Sequence, residues 1–97
     1  MDKRERDIEQ RLRLQIGKMG GLFYKFTSPG NDGVPDRIAV MPGGRIWFVE
    51  LKAKTGRLSA VQVLQIRRLH DRGANVFVVW DEEGADELIR RMGGDAL

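Results

Sequence analysis

A chain of 97 residues with 17 Lys and Arg against 14 Asp and Glu, formal charge +3, is expected to form one domain over residues 1–97, a sheet covered by two or three helices. The absence of cysteine excludes thiolate chemistry, disulfides and cysteine-based zinc sites, and the single histidine, His70, cannot build a histidine cluster, so any metal ligands are oxygens. No apolar run approaches the ~20 residues of a membrane span and the N-terminus is charged and amphipathic rather than a signal peptide, so a cytoplasmic protein is expected.

In chain order, Ile8, Leu12 and Ile16 recur every four residues between Arg4 and Gly17, which predicts a first helix ended by Gly17 and Gly20-Gly21. Leu22 to Phe26 is short and aromatic and reads as a strand, and residues 27–33 (TSPGNDG) read as a loop. Arg37 to Met41, the turn Pro42-Gly43-Gly44 and Arg45 to Ala53 predict a hairpin, from which Lys54 to Leu58 leads out. Ser59 opens a second helix with Val63, Ile66 and Leu69 as its buried stripe and Gly73 as its stop. Asn75 to Trp80 predicts a buried strand, and Ala85 to Met92 a final helix with Leu88, Ile89 and Met92 inward. The order αβββαβα implies an α/β fold with a mixed sheet, since a strand reached through a helical crossover pairs parallel to an earlier one.

Charge is uneven along this scaffold. Acids gather near the two termini and at Asp81 to Glu83, leaving Lys52, Lys54, Arg57, Arg67, Arg68 and Arg72 to dominate the middle, where an anionic partner would bind.

Within that region Glu50 and Lys52 stand two apart in an otherwise apolar strand and so share one face, a costly arrangement unless a divalent cation compensates it. An edge strand with a solvated face or a cross-strand ion pair is the other explanation. Asp36 follows Gly33-Val34-Pro35, where proline stiffens the backbone and holds the carboxylate at the hairpin mouth; alone, it would be read as capping the turn or pairing with Arg37. Glu9 borders the buried stripe of the first helix, with Glu5 one turn earlier as its competitor, and both also suit a helix N-terminus. Gln62 fits a capping box with Ser59, a structural role that can coexist with service to a site, and Gln65 is a second candidate. His70 reads as a surface residue or phosphate contact.

These residues, in this order, resemble the PD-(D/E)XK nuclease superfamily and, more narrowly, the short stand-alone VRR-NUC domains of phages and bacteria. The resemblance covers nearly the whole chain and rests on Gly33 to Arg37, Val49 to Lys52 and Leu58-Ser59-Ala60-Val61-Gln62. It implies a restriction-endonuclease-like fold in which Asp36, Glu50 and the backbone carbonyl of Leu51 bind Mg²⁺ or Mn²⁺. In that reading Glu9 is a further acidic contributor, Lys52 positions or activates the attacking water, and Gln62 supports the site. It further implies hydrolysis of phosphodiester bonds in branched DNA such as four-way (Holliday) junctions, leaving a 5′-phosphate, by a homodimer in a bacterial or phage-infected cell.

Lys25, Ser28, Asn31, Lys54 and Arg57 flank the carboxylates and are candidate phosphate contacts, which would read DNA shape rather than sequence. Trp47, Phe48 and Trp80 are candidates for an apolar interface or the core. The rival functions are a flap, fork or restriction-like nuclease, a non-catalytic DNA-binding module on the same fold, and a basic interaction domain; the last leaves the clustered acids and lysine unexplained.

Overall fold

The computed structural model describes residues 3–94. Its elements follow the expected order: α1 (Lys3–Lys18), β1 (Leu22–Lys25), β2 (Arg37–Met41), β3 (Arg45–Leu51), α2 (Ala60–Asp71), β4 (Asn75–Val79) and α3 (Glu82–Gly94). The strands form one sheet in the order β1-β2-β3-β4, antiparallel except for the parallel β3–β4 pair made by the crossover through α2. No helix among the described residues is long and apolar enough to cross a membrane.

The alternation of the strands divides the sheet into unlike faces. Phe23, Ala39, Met41, Trp47, Val49, Leu51 and Val79 point to one side and are buried beneath Ile8, Leu12 and Ile16 of α1 and Ala85, Leu88 and Met92 of α3. This is the core, and it accounts for Trp47, which is 6% exposed and is no interface residue. Its indole N–H is the one buried side-chain polar atom among the described residues without a hydrogen-bond partner.

On the other side α2 packs on β4 and leaves most of the sheet uncovered. Val63, Ile66 and Leu69, read as a buried stripe, are therefore only half-buried, and α2 contains no buried residue. A helix that covers one edge strand lacks the opposing surface to seal its apolar stripe. Leu22, Tyr24, Ile46, Val61 and Leu64 are exposed on or beside this open face.

Boundaries shift where capping or pairing decides them. Helix α3 begins at Glu82 rather than Ala85 because Asp81 caps it, its Oδ1 accepting the Gly84 N–H at 2.7 Å, with Glu82 and Glu83 complementing the dipole. Strand β3 ends at Leu51 rather than Ala53: its last cross-strand partner is Val79, and the chain then turns through a loop tied down by Trp80 Nε1 donating to the Gly56 carbonyl at 3.3 Å.

A buried ion pair fastens α1 to the sheet. Arg37, 4% exposed, donates from Nε and Nη2 to Glu9 Oε2 at 3.2 and 2.8 Å, while Arg13 reaches Glu9 Oε1 at 3.2 Å. Burial alone would raise the Glu9 pKa, but the hydrogen bonds and charges of Arg37 and Arg13 outweigh it and hold the carboxyl below its ordinary value. Arg37→Met removes the buried partner of Glu9 and leaves it only the half-exposed Arg13, and is expected to destabilise the protein by about 2 kcal/mol in urea unfolding, against at most about 1 kcal/mol for Arg13→Ala, which leaves the buried Glu9–Arg37 pair intact. Because the Glu9 pKa is depressed in the fold, this contribution is present above the unfolded carboxylate range and is lost as pH falls through the folded value; equal losses for both variants would contradict the assignment.

Candidate active site

The β2–β3 register pairs Arg37 with Val49, and one position further Asp36 comes opposite Glu50. Residues opposite one another in an antiparallel pair point to the same face, here the open one. The Asp36 N–H donates to Glu50 Oε1 at 3.2 Å, and the Leu51 N–H donates to Asp36 Oδ1 at 3.3 Å. The approach to Asp36 is rigid, because Pro35 is fully buried and the Asp36 carbonyl accepts the Phe26 N–H at 2.9 Å. Lys52 follows on the Glu50 face, its own N–H held by the Val79 carbonyl at 2.9 Å.

Two carboxylates directly opposite repel, and the fold shields this pair little from that repulsion. Glu50 is 6% exposed, and its pKa is pushed up to about 7, by burial first and by the Asp36 charge second; Lys52, the Asp36 backbone N–H and Arg37 act in the opposite direction without overcoming them. A divalent cation between the two groups removes both penalties at once, and carboxylate oxygens are the ligands Mg²⁺ and Mn²⁺ favour. Asp36 and Glu50 therefore fit such an ion.

Gln62 joins these residues from α2. Its capping box with Ser59 is complete: the Ser59 N–H donates to Gln62 Oε1 at 2.9 Å and the Gln62 N–H to Ser59 Oγ at 3.2 Å. Since the amide oxygen is occupied, Nε2 is aimed the other way and donates to Glu50 Oε2 at 3.3 Å. The cap thus orients the Gln62 amide toward Glu50. Gln65 is elsewhere, donating to the Asp32 carbonyl at 3.2 Å.

Glu9 does not join Asp36 and Glu50 in one cluster; among the described residues no group of three acidic, histidine or cysteine side chains is arranged to hold a metal. Its link to the site runs through Arg37, whose Nη1 lies 3.2 Å from Asp36 Oδ2 and also donates to the Asp36 carbonyl at 3.1 Å. The Asp36–Arg37 pairing left open as an alternative is thus present beside the Asp36–Glu50 pairing. The sequence carries a signal of this connector, since an arginine on the inward face of a short strand must be met by an acid.

The candidate phosphate contacts do not form one cluster. Lys25 ends β1 opposite Arg37, in a hollow with Arg6, Gln10 and Arg13. Ser28 Oγ accepts from Asn31 Nδ2 at 2.9 Å, so these two brace their own loop. Arg57 is exposed, while Lys54 lies in a depression with Arg4 and the acids Asp81, Glu82 and Glu83. His70 is exposed beside Asp71.

Because the Glu50 pKa is higher in the fold than in the unfolded chain, ionising this group works against folding. Stability of the metal-free protein is expected to fall by on the order of 3 kcal/mol as pH rises from the ordinary carboxylate range through about 7. Glu50→Gln should flatten that slope, and Mg²⁺ at pH 8 should raise the unfolding midpoint of the wild type but not of Asp36→Asn. A slope unchanged in Glu50→Gln would show that other groups carry it.

No protein-family model matches the chain. It is 43% identical over 76 residues to a protein named "Putative nuclease p44" from Acyrthosiphon pisum secondary endosymbiont phage 1, covering 78% of this chain and 82% of that one. A solved structure described as a VRR_NUC domain superposes with a TM-score of 0.84 at 33% identity, over 92% of this chain and 97% of the other. With this fold, these residues and these relatives, the chain belongs to the VRR-NUC family of nucleases.

Proposed function

We propose that the protein is a Mg²⁺- or Mn²⁺-dependent endonuclease that hydrolyses phosphodiester bonds in branched DNA, four-way junctions foremost, and acts as a homodimer. The observation that carries this reading is the opposed Asp36–Glu50 pair, joined by the Asp36 N–H donating to Glu50 Oε1 at 3.2 Å, with the Leu51 N–H holding Asp36 Oδ1 at 3.3 Å, a Glu50 carboxyl whose pKa is pushed up to about 7, and Lys52 on the same face. An enzyme that must gather positive charge around a phosphodiester has reason to keep such a pair.

Asp36, Glu50 and the Leu51 carbonyl would hold the ion, which when bound supplies Lewis-acid polarisation of the phosphate and a water of lowered pKa. Lys52 places a cation beside Glu50, where it orients the attacking water and offsets charge developing on the phosphate. Gln62 fixes Glu50 Oε2 while the Asp36 N–H holds Oε1, so the carboxylate that would hold the ion is oriented at both oxygens. Glu9 contributes through Arg37, holding Asp36 in place. Arg57, exposed beyond β3, would meet phosphates and give selectivity for DNA shape rather than sequence, whereas Lys25 stands on the α1 side of the sheet.

Two symmetric cuts in a junction need two sites in fixed relation, which a chain of this size supplies as a pair. The open face suits that role, for Leu22, Tyr24 and Ile46 are 51%, 52% and 44% exposed, a concentration of apolar surface that water disfavours.

The test uses labelled four-way junction, splayed arm, flap, duplex and single strand with Mg²⁺, Mn²⁺ or EDTA. Paired nicks on the junction are expected, abolished by EDTA and reduced at least about 100-fold in Asp36→Asn, Glu50→Gln and Lys52→Ala. Binding without cleavage under every metal would replace the nuclease by a binding module, and preferential cleavage of flaps or splayed arms would change the substrate. In sedimentation the wild type should run as a dimer and Ile46→Asp as a monomer making unpaired nicks; a monomeric wild type that still makes paired nicks would rule out the dimer.

A further inference from the structure

The loop that delivers Asp36 and the first turn of α2, which delivers Gln62, meet with no side chain between them. Gly33 has φ +85°, and a methyl group there would lie 2.7 Å from both the carbonyl carbon and oxygen of Val61 and 3.0 Å from the Gln62 nitrogen. All three are helix backbone atoms, which no rotamer change can move aside. One turn along the helix, Gln65 Nε2 holds the Asp32 carbonyl at 3.2 Å, so the loop is seated on α2 at two successive points.

What this seating controls is the reach of Gln62. Its amide donates to Glu50 Oε2 at 3.3 Å, near the outer limit of a useful hydrogen bond, while its backbone N–H and Oε1 are committed to Ser59. The side chain has no slack on the helix side, so a displacement of α2 by a few tenths of an ångström passes directly into that contact. Helix α2 has no buried residue to hold it against such a displacement. We infer that Gly33 is a positioning residue: the absence of a side chain lets the Asp36 loop rest on the backbone of α2, and this contact sets the distance from Gln62 to Glu50. The inference rests on the proposed role of Gln62 and Glu50 at the nuclease site.

The left-handed backbone at Gly33 is a competing reason for glycine, and Gly30 separates the two. It lies in the same loop with φ +79°, yet a methyl group there would meet nothing within 4 Å. Both alanine substitutions carry the backbone strain, and only Gly33→Ala presses on α2.

The experiment compares Gly33→Ala, Gly30→Ala, Gln62→Ala and the double variant Gly33→Ala/Gln62→Ala by single-turnover junction cleavage, with the Gln62 side-chain amide resonances read by NMR. Gly33→Ala is expected to shift those resonances and slow cleavage by about tenfold or more without weakening junction binding, whereas Gly30→Ala leaves both near wild type. In the Gln62→Ala background, Gly33→Ala should cost less than about twofold further, because the residue it acts through is already gone. The inference is overturned if Gly33→Ala matches Gly30→Ala, or if its effect multiplies undiminished onto Gln62→Ala. Should Gly33→Ala not fold, Gln65→Ala cuts the second point of seating without adding an atom; a smaller change in the same direction supports the inference, and no movement of the Gln62 resonances overturns it. Resonances that move as expected in a protein that cleaves no DNA would support the positioning role and remove the nuclease reading.

Discussion

Everything of chemical interest in this protein depends on the register of two antiparallel strands. Pairing Arg37 with Val49 brings Asp36 against Glu50, and a slip of one residue would send one of the two carboxylates to the opposite face. The register is fixed on the opposite face of the sheet, by the apolar positions Ala39, Met41, Trp47 and Val49, which are buried against α1 and α3 and tolerate no slip. The hydrophobic face therefore supplies the free energy that holds two like charges together on the other face. That coupling is how a domain of 97 residues can maintain a locally unfavourable arrangement.

The two faces of the sheet divide the work. One is sealed by two helices and supplies stability. The other is only partly covered by α2, which leaves the face of Asp36 and Glu50 open and apolar surface in water at Leu22, Tyr24 and Ile46. The incomplete cover also means that α2 owes its position to contacts at its N-terminus: the Ser59–Gln62 cap, the seat of Gly33, and the Gln65–Asp32 hydrogen bond. A helix placed in this way sets the Gln62 amide against Glu50 at its first turn.

Arg37 connects the two layers. Its guanidinium faces the core side, where Glu9 neutralises it, and extends along the backbone to the carbonyl and carboxylate of Asp36. A buried arginine shared between two acids fixes both, because its donors have a rigid planar geometry. The first helix is thus tied to the strand that carries Asp36 by a charged contact as well as by apolar packing, and Glu9 bears on the site through it.

Much of this was legible in the residues themselves. Periodicities of four and two located α1 and the β2–β3 hairpin, and Ser59 with Gln62 announced the capped start of α2, because each of these depends on neighbours close in sequence. The Asp36, Glu50 and Lys52 series was readable for the same reason, as charges where the strand pattern demands apolar side chains. The start of α3 was missed because Asp81 to Glu83 read as an acidic cluster and not as a cap with a charged first turn. Sequence alone left Glu9 against Glu5 and Gln62 against Gln65 undecided, since each pair lies one turn or less apart on one helix and only the facing surface distinguishes its members. Tertiary structure separates them, placing Gln62 against Glu50, Gln65 against Asp32, and Glu9 against Arg37 rather than against the Asp36–Glu50 pair. It also decided that Gly33 touches the backbone of α2, and that α2 covers only the edge of the sheet. Contacts between segments distant in the chain follow from how whole elements dock, and no local pattern encodes that.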